Sequence, residues 1–86
     1  MTETPENRLK RLKIRSWRRG TKEMDLILGT FADAMLTKLD PETLDRFESL
    51  LAENDQDLYP WFSGQEDAPV EHAEMLEQIR VAEKFR

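Results

Sequence analysis

The sequence predicts an all-α protein, a small single-domain bundle of four or five short helices. Three observations predict it. Through the middle of the chain apolar residues recur at spacings of three and four, the periodicity of one helix face. Helix-stop signals stand between the periodic stretches, at Gly20, Asp40-Pro41 and Gly64. The composition, with 36% charged residues, three glycines and no run of β-branched residues, gives strands little to build on.

Residues from about Pro5 to Trp17 form the first helix, with Pro5 in the first turn, where its missing N–H costs nothing. Its apolar residues Leu9, Leu12, Ile14 and Trp17 are sparse among Arg8, Lys10, Arg11, Lys13 and Arg15, whose stems can cover apolar surface while the heads stay wet. The second helix is the clearest. Met24, Ile27, Leu28, Phe31, Met35 and Leu39 make one stripe, and Gly29 beside it permits a close approach. Asp40-Pro41-Glu42 supplies an N-cap, a first-turn proline and an acid for a third helix. That helix carries Leu44, Phe47, Leu50 and Leu51 and ends near Glu53. Aspartates 55 and 57 cap a short helix limited by Pro60 and closed by Gly64, with Leu58 and Phe62 facing inward. After a turn-rich stretch the last helix runs from about Val70 to Phe85, with Val70, Ala73, Leu76, Ile79 and Ala82 inward. His72, beside Glu71 and Glu74, is expected on a solvated face.

Length and composition exclude several classes. An 86-residue chain is one domain, and it buries only a little over ~60% of its unfolded surface. That leaves little room for a deep catalytic cleft. With no cysteine there is no disulfide framework, thiolate nucleophile or cysteine-based zinc site, in keeping with a reducing compartment. No apolar run is long enough to span a membrane, and the first 22 residues are too polar for a secretory signal. Asp55 and Asp57 lack the remaining ligands of a calcium loop, so no metal site is expected. No phosphate loop or nucleophilic triad is present, so the chain is not expected to be an enzyme or to hold a cofactor itself.

Charge divides the chain. The first 22 residues carry eight Lys/Arg against two acids, a net of +6, whereas the remainder carries a net of −11, for −5 overall. The domain therefore reads as a basic N-terminal helix at about 5–17 followed by an acidic bundle at 21–86. At the reversal lies Arg18-Arg19-Gly20-Thr21-Lys22-Glu23-Met24-Asp25. One reading is structural: Gly20 as N-cap and Glu23 at the third helical position form half a capping box. The other is recognition. Two arginines and Trp17 adjoin the turn, and a glycine lets a partner's backbone come close.

This segment resembles the Arg-Gly-x-x-Glu signature of the succinate dehydrogenase assembly factor family. A second stretch, Asp55-Gln56-Asp57-Leu58-Tyr59-Pro60-Trp61-Phe62, resembles that family's Asp-x-Asp-Leu-aromatic-x-Trp segment. The two blocks stand in order in a chain of matching size, so the resemblance covers Leu9 to about Arg80. It implies a helical helper that binds the flavoprotein subunit of succinate dehydrogenase, and of fumarate reductase as a related client, and promotes covalent attachment of FAD to a client histidine. It also implies a bacterial cytoplasm or mitochondrial matrix, with the FAD held by the client. The partner-binding set is Trp17, Arg18, Arg19, Gly20, Glu23 and Asp25, with Tyr59 and Trp61. Arg19, Gly20 and Glu23 are expected to be exposed together. A rival reading takes the basic helix with Trp17 as a nucleic-acid footprint, which the acidic remainder opposes.

Overall fold

The computed structural model describes residues 3–84, and among them it contains helices and no strand. Five α-helices follow one another: α1 (Pro5–Trp17), α2 (Lys22–Met35), α3 (Pro41–Leu51), α4 (Asp55–Ser63) and α5 (Val70–Lys84), with a 3₁₀ turn (Leu36–Lys38) after α2. The expected last residue of α5, Phe85, lies outside the described residues. Local signals set these bounds. Thr4 accepts from the Asn7 N–H at 3.1 Å ahead of Pro5, and Asp40 accepts from the Thr43 N–H at 2.8 Å ahead of Pro41. Gly64 ends α4 at φ +86°, a conformation that suits glycine.

The helices bury one apolar cluster. Met24, Leu28, Phe31 and Ala32 of α2 meet Leu12 of α1, Phe47, Leu50 and Leu51 of α3, Leu58 of α4, and Met75, Leu76 and Ile79 of α5. Phe31 and Phe47 lie with ring centroids 5.5 Å apart, a separation at which tilted rings attract. Gly29 receives the indole of Trp17, which crosses α2 so closely that a Cβ there would stand 2.2 Å from the ring. The indole N–H donates to Asp33 at 3.2 Å.

Three expectations are corrected here. The stripe from Met24 to Leu39 is not one helix: α2 stops at Met35, and the tighter 3₁₀ turn brings Leu36, not Leu39, fully into the core. In α5, Val70 and Ala73 face solvent, and His72, Met75, Leu76 and Ile79 are buried. A row spaced by threes rotates about 60° per step around a helix with 3.6 residues per turn, so residues 70 to 82 cannot share a face. His72 is thus buried rather than solvated. It stacks on Trp61 with centroids 5.9 Å apart, its Nε2 3.8 Å from a Glu53 carboxylate oxygen and its Nδ1 without a hydrogen-bond partner among the described residues.

The charge division resolves into packing. The basic side of α1 lies along the acidic side of α3: Arg8 pairs with Asp45 at 2.6 Å and Glu48 at 2.9 Å, and Arg11 pairs with Glu48 at 2.9 Å and with Glu3 at 2.7 Å. Pairs with this much solvent access contribute little each. Their arrangement nonetheless uses much of the α1 charge inside the molecule.

Candidate functional site

The turn between α1 and α2 is held by side chains on both sides of it. Thr21, not Gly20, is the N-cap of α2, and its hydroxyl accepts from the Met24 N–H at 3.3 Å. The cap expected at Gly20 is therefore displaced by one residue, because a threonine next to the glycine offers an acceptor that glycine lacks. This puts Glu23 at the second helical position and Met24 at the third, so no capping box forms. Gly20 instead sits at φ +105°, where L side chains are rarely found, and a Cβ on it would meet nothing within 4 Å. Its requirement is conformational, and the space above it is open.

Asp25, in the first turn of α2, reaches back to accept from the Arg19 N–H at 2.6 Å. The Arg19 guanidinium turns inward. Its Nε donates to Asp55 at 2.9 Å, Nη1 to the Leu51 carbonyl at 2.7 Å and Nη2 to the Glu53 carbonyl at 2.6 Å. Only 10% of its side chain is exposed. The expectation that Arg19 is exposed with Gly20 and Glu23 is therefore corrected. The cause lies at the end of α3, whose last turn contains no basic residue. A helix C-terminus presents unsatisfied carbonyls and partial negative charge, and Arg19 supplies the missing cation, with Arg15 also donating to the Leu51 carbonyl at 3.3 Å. Arg80 does the same for α4, donating to the carbonyls of Trp61 and Phe62.

The consequence is that two blocks of sequence far apart in the chain form one face. Thr21 and Glu23 of the first block line a shallow depression with Asp55, Gln56 and Tyr59 of the second. It shares Thr21, Asp55 and Gln56 with an adjoining groove that runs past Arg18, Arg19 and Gly20 to the α3–α4 loop. Arg18, Gly20, Glu23 and Tyr59 are exposed there. Asp25 is partly covered and bound to the Arg19 backbone, so it holds the turn rather than presenting a surface. Trp17 and Trp61 line neither depression. The first packs on α2, and the second is half-buried against His72. Sequence reasoning missed Asp55 and Gln56 as members of this face, reading Asp55 only as a helix cap. The signal that could have found Asp55 is its charge opposite to Arg19 within the paired blocks.

No helix among the described residues is long and apolar enough to cross a membrane.

Residues 10–83 match the protein family described as "Flavinator of succinate dehydrogenase". The FAD assembly factor SdhE of Legionella pneumophila (strain Lens) is 36% identical over 75 residues, covering 87% of this chain and 95% of that protein. The mitochondrial succinate dehydrogenase assembly factor 2 of Schizosaccharomyces pombe is 40% identical over 67 residues, 78% of this chain and 48% of its own length. The protein of that name from Aspergillus terreus is 46% identical over 61 residues, covering 71% of this chain and 20% of the fungal protein. This chain therefore spans about a fifth of the Aspergillus relative and about half of the Schizosaccharomyces one, but nearly the whole bacterial one.

Proposed function

This chain belongs to the family of flavinators of succinate dehydrogenase, and from that premise we infer that it is an assembly factor. It binds the flavoprotein subunit of succinate dehydrogenase and promotes the covalent attachment of FAD to it. The observation that carries the reading is the joining of the two sequence blocks. Gly20 and Glu23 lie beside Gln56 and Tyr59 on one surface built by the inward Arg19.

In this reading the bond forms within the client, between FAD and a client histidine, and the helper contributes no acid, base or nucleophile. It prefers the client conformation in which the reacting groups are aligned. Alignment alone can be worth several kcal/mol of the barrier, and the helper need only bind the aligned state more tightly than the loose one. The exposed residues have suitable chemistry. Gly20 leaves open space for an approaching backbone, Glu23 offers a charged acceptor, and Tyr59, 43% exposed, offers an amphipathic ring of a type enriched at interfaces. A fumarate reductase flavoprotein is a second client of the same chemistry, and the site of action is a bacterial cytoplasm or mitochondrial matrix.

The nucleic-acid reading loses support from the same contacts. Arg8, Arg11, Arg15 and Arg19, half of the eight basic residues in the first 22, are engaged with carboxylates or carbonyls of the molecule itself. Purification of the tagged protein from its native cell, with bound partners identified by mass, tests the proposal. The flavoprotein subunit should co-purify with wild type and be depleted with Gly20→Arg. Equal recovery with both would remove the recognition role of Gly20.

A further inference from the structure

We propose that Asp55 is a positioning residue for client recognition, acting through Arg19, and that the arginine of the Arg-Gly-x-x-Glu segment serves the surface from inside without touching the client. The affinity arm of this proposal rests on the flavoprotein reading above; the structural arm does not.

Arg19 and Asp55 expose only 10% and 15% of their side chains and meet at 2.9 Å. A guanidinium has five N–H donors in a rigid plane, and three of them are directed at fixed acceptors on the α3–α4 segment: Asp55, Leu51 and Glu53. The residue's own backbone N–H is held by Asp25. The residue next to it is Gly20, at φ +105° with open space before it. A side chain locked at three points and a backbone locked at a fourth thus fix the register of Gly20 and Thr21 against Gln56 and Tyr59. The carbonyls of Leu51 and Glu53 would remain for any donor that reached them. Among the described residues Asp55 is the one charged partner of the guanidinium itself, and it sits at the start of α4, which carries Tyr59. Losing it leaves an almost buried arginine without its counter-charge, a situation the chain relieves by letting the guanidinium swing toward water. The turn then loses its tie to α4, and the two halves of the face lose their fixed spacing.

Arg19 and Asp55 thus differ from Glu23, which contacts the client directly in the proposed function. Affinity for the flavoprotein subunit is measured with Asp55→Ala, Arg19→Gln, Glu23→Ala and their pairwise doubles. Amide spectra of each free protein report on Gly20 and Thr21. Asp55→Ala and Arg19→Gln should each weaken binding by about tenfold, the loss expected when only about a tenth of the free protein keeps the binding-competent arrangement. The double should be no worse than either alone, because the two residues act as one strut. Asp55→Asn, which keeps an acceptor oxygen, should recover part of the loss. Glu23→Ala should multiply with Asp55→Ala. In the free protein, Asp55→Ala should move the Gly20 and Thr21 amide resonances. Unmoved amides, or losses that multiply to about a hundredfold in the Asp55–Arg19 double, would overturn the proposal by making the two residues independent. If wild type fails to bind the flavoprotein, the proposed function falls, and the amide positions still judge the strut.

Discussion

Gly29→Ala should destabilise the protein, although alanine is the better helix former. In the middle of α2 the exchange alone would gain up to about 1 kcal/mol. The indole of Trp17 opposes it. The new methyl would stand 2.2 Å from Cδ2, 2.4 Å from Cε2 and 2.6 Å from Cε3, far inside contact distance. These are atoms of a rigid fused ring, so no single torsion far out on the side chain relieves the overlap and the whole indole must move off α2. At 38% exposure the ring is well over half covered. Uncovering roughly 100–150 Å² of it at about 25 cal/mol per Å² costs about 3 kcal/mol, and its hydrogen bond to Asp33 goes too. The net loss is then about 2 kcal/mol, or roughly 10 °C of melting temperature for a domain this size. The decisive comparison uses Trp17→Ala as background. With the ring gone, Gly29→Ala should reverse sign and stabilise by up to about 1 kcal/mol. Thermal melts of the four proteins test this. Equal effects of Gly29→Ala in both backgrounds, or a wild-type melt for the single variant, would refute the close approach of Trp17 to Gly29.

Two further expectations follow from the contacts. Gly20→Ala should lower stability by about 1–2 kcal/mol because of the positive φ alone, and Gly20→Ser by a similar amount rather than being neutral as a capping role would make it. A melt of either variant within about 2 °C of wild type would show that the turn relaxes to another conformation. At low pH, Glu48 should govern part of the loss of stability: burial pushes its carboxyl up, but hydrogen bonds and charge from Arg11 and Arg8 outweigh this and hold it below the usual range. A folded value below the unfolded one gives stability that is present above about pH 4.3 and lost as pH falls through the folded value. Glu48→Gln should therefore flatten the dependence of the urea midpoint on pH below about 5, and an unchanged slope would remove Glu48 from that role.

What was legible in the sequence was what local chemistry decides. Pro5, Asp40-Pro41 and Gly64 mark helix ends by their own backbone preferences, and each marks one in the structure. The spacing of Met24, Leu28 and Phe31 predicts their burial and is matched by it, as is the inward placement of Leu58. What was not legible depends on a neighbour. Nothing near Arg19 in the chain announces that α3 lacks a cation in its own last turn, so the direction of its side chain is decided by tertiary structure. Val70 and His72 exchange their expected environments for a different reason: the expected row was spaced by threes, whereas the buried residues His72, Met75, Leu76 and Ile79 follow the three-and-four spacing of one helix face. Gly20 and Glu23 were legible as a surface pair, but the reason for Gly20 is its φ rather than a cap.

In the proposed function the face around Gly20 and Glu23 promotes flavin attachment to a partner. This role is read out by in-gel flavin fluorescence of the succinate dehydrogenase flavoprotein in cells lacking the native helper, beside a melt of each protein. Wild type should restore the covalently flavinylated band, and Gly20→Arg, folded and helical, should leave it dark, with Glu23→Ala weaker than wild type. A full band with well-folded Gly20→Arg, or no restoration by wild type, would rule that role out.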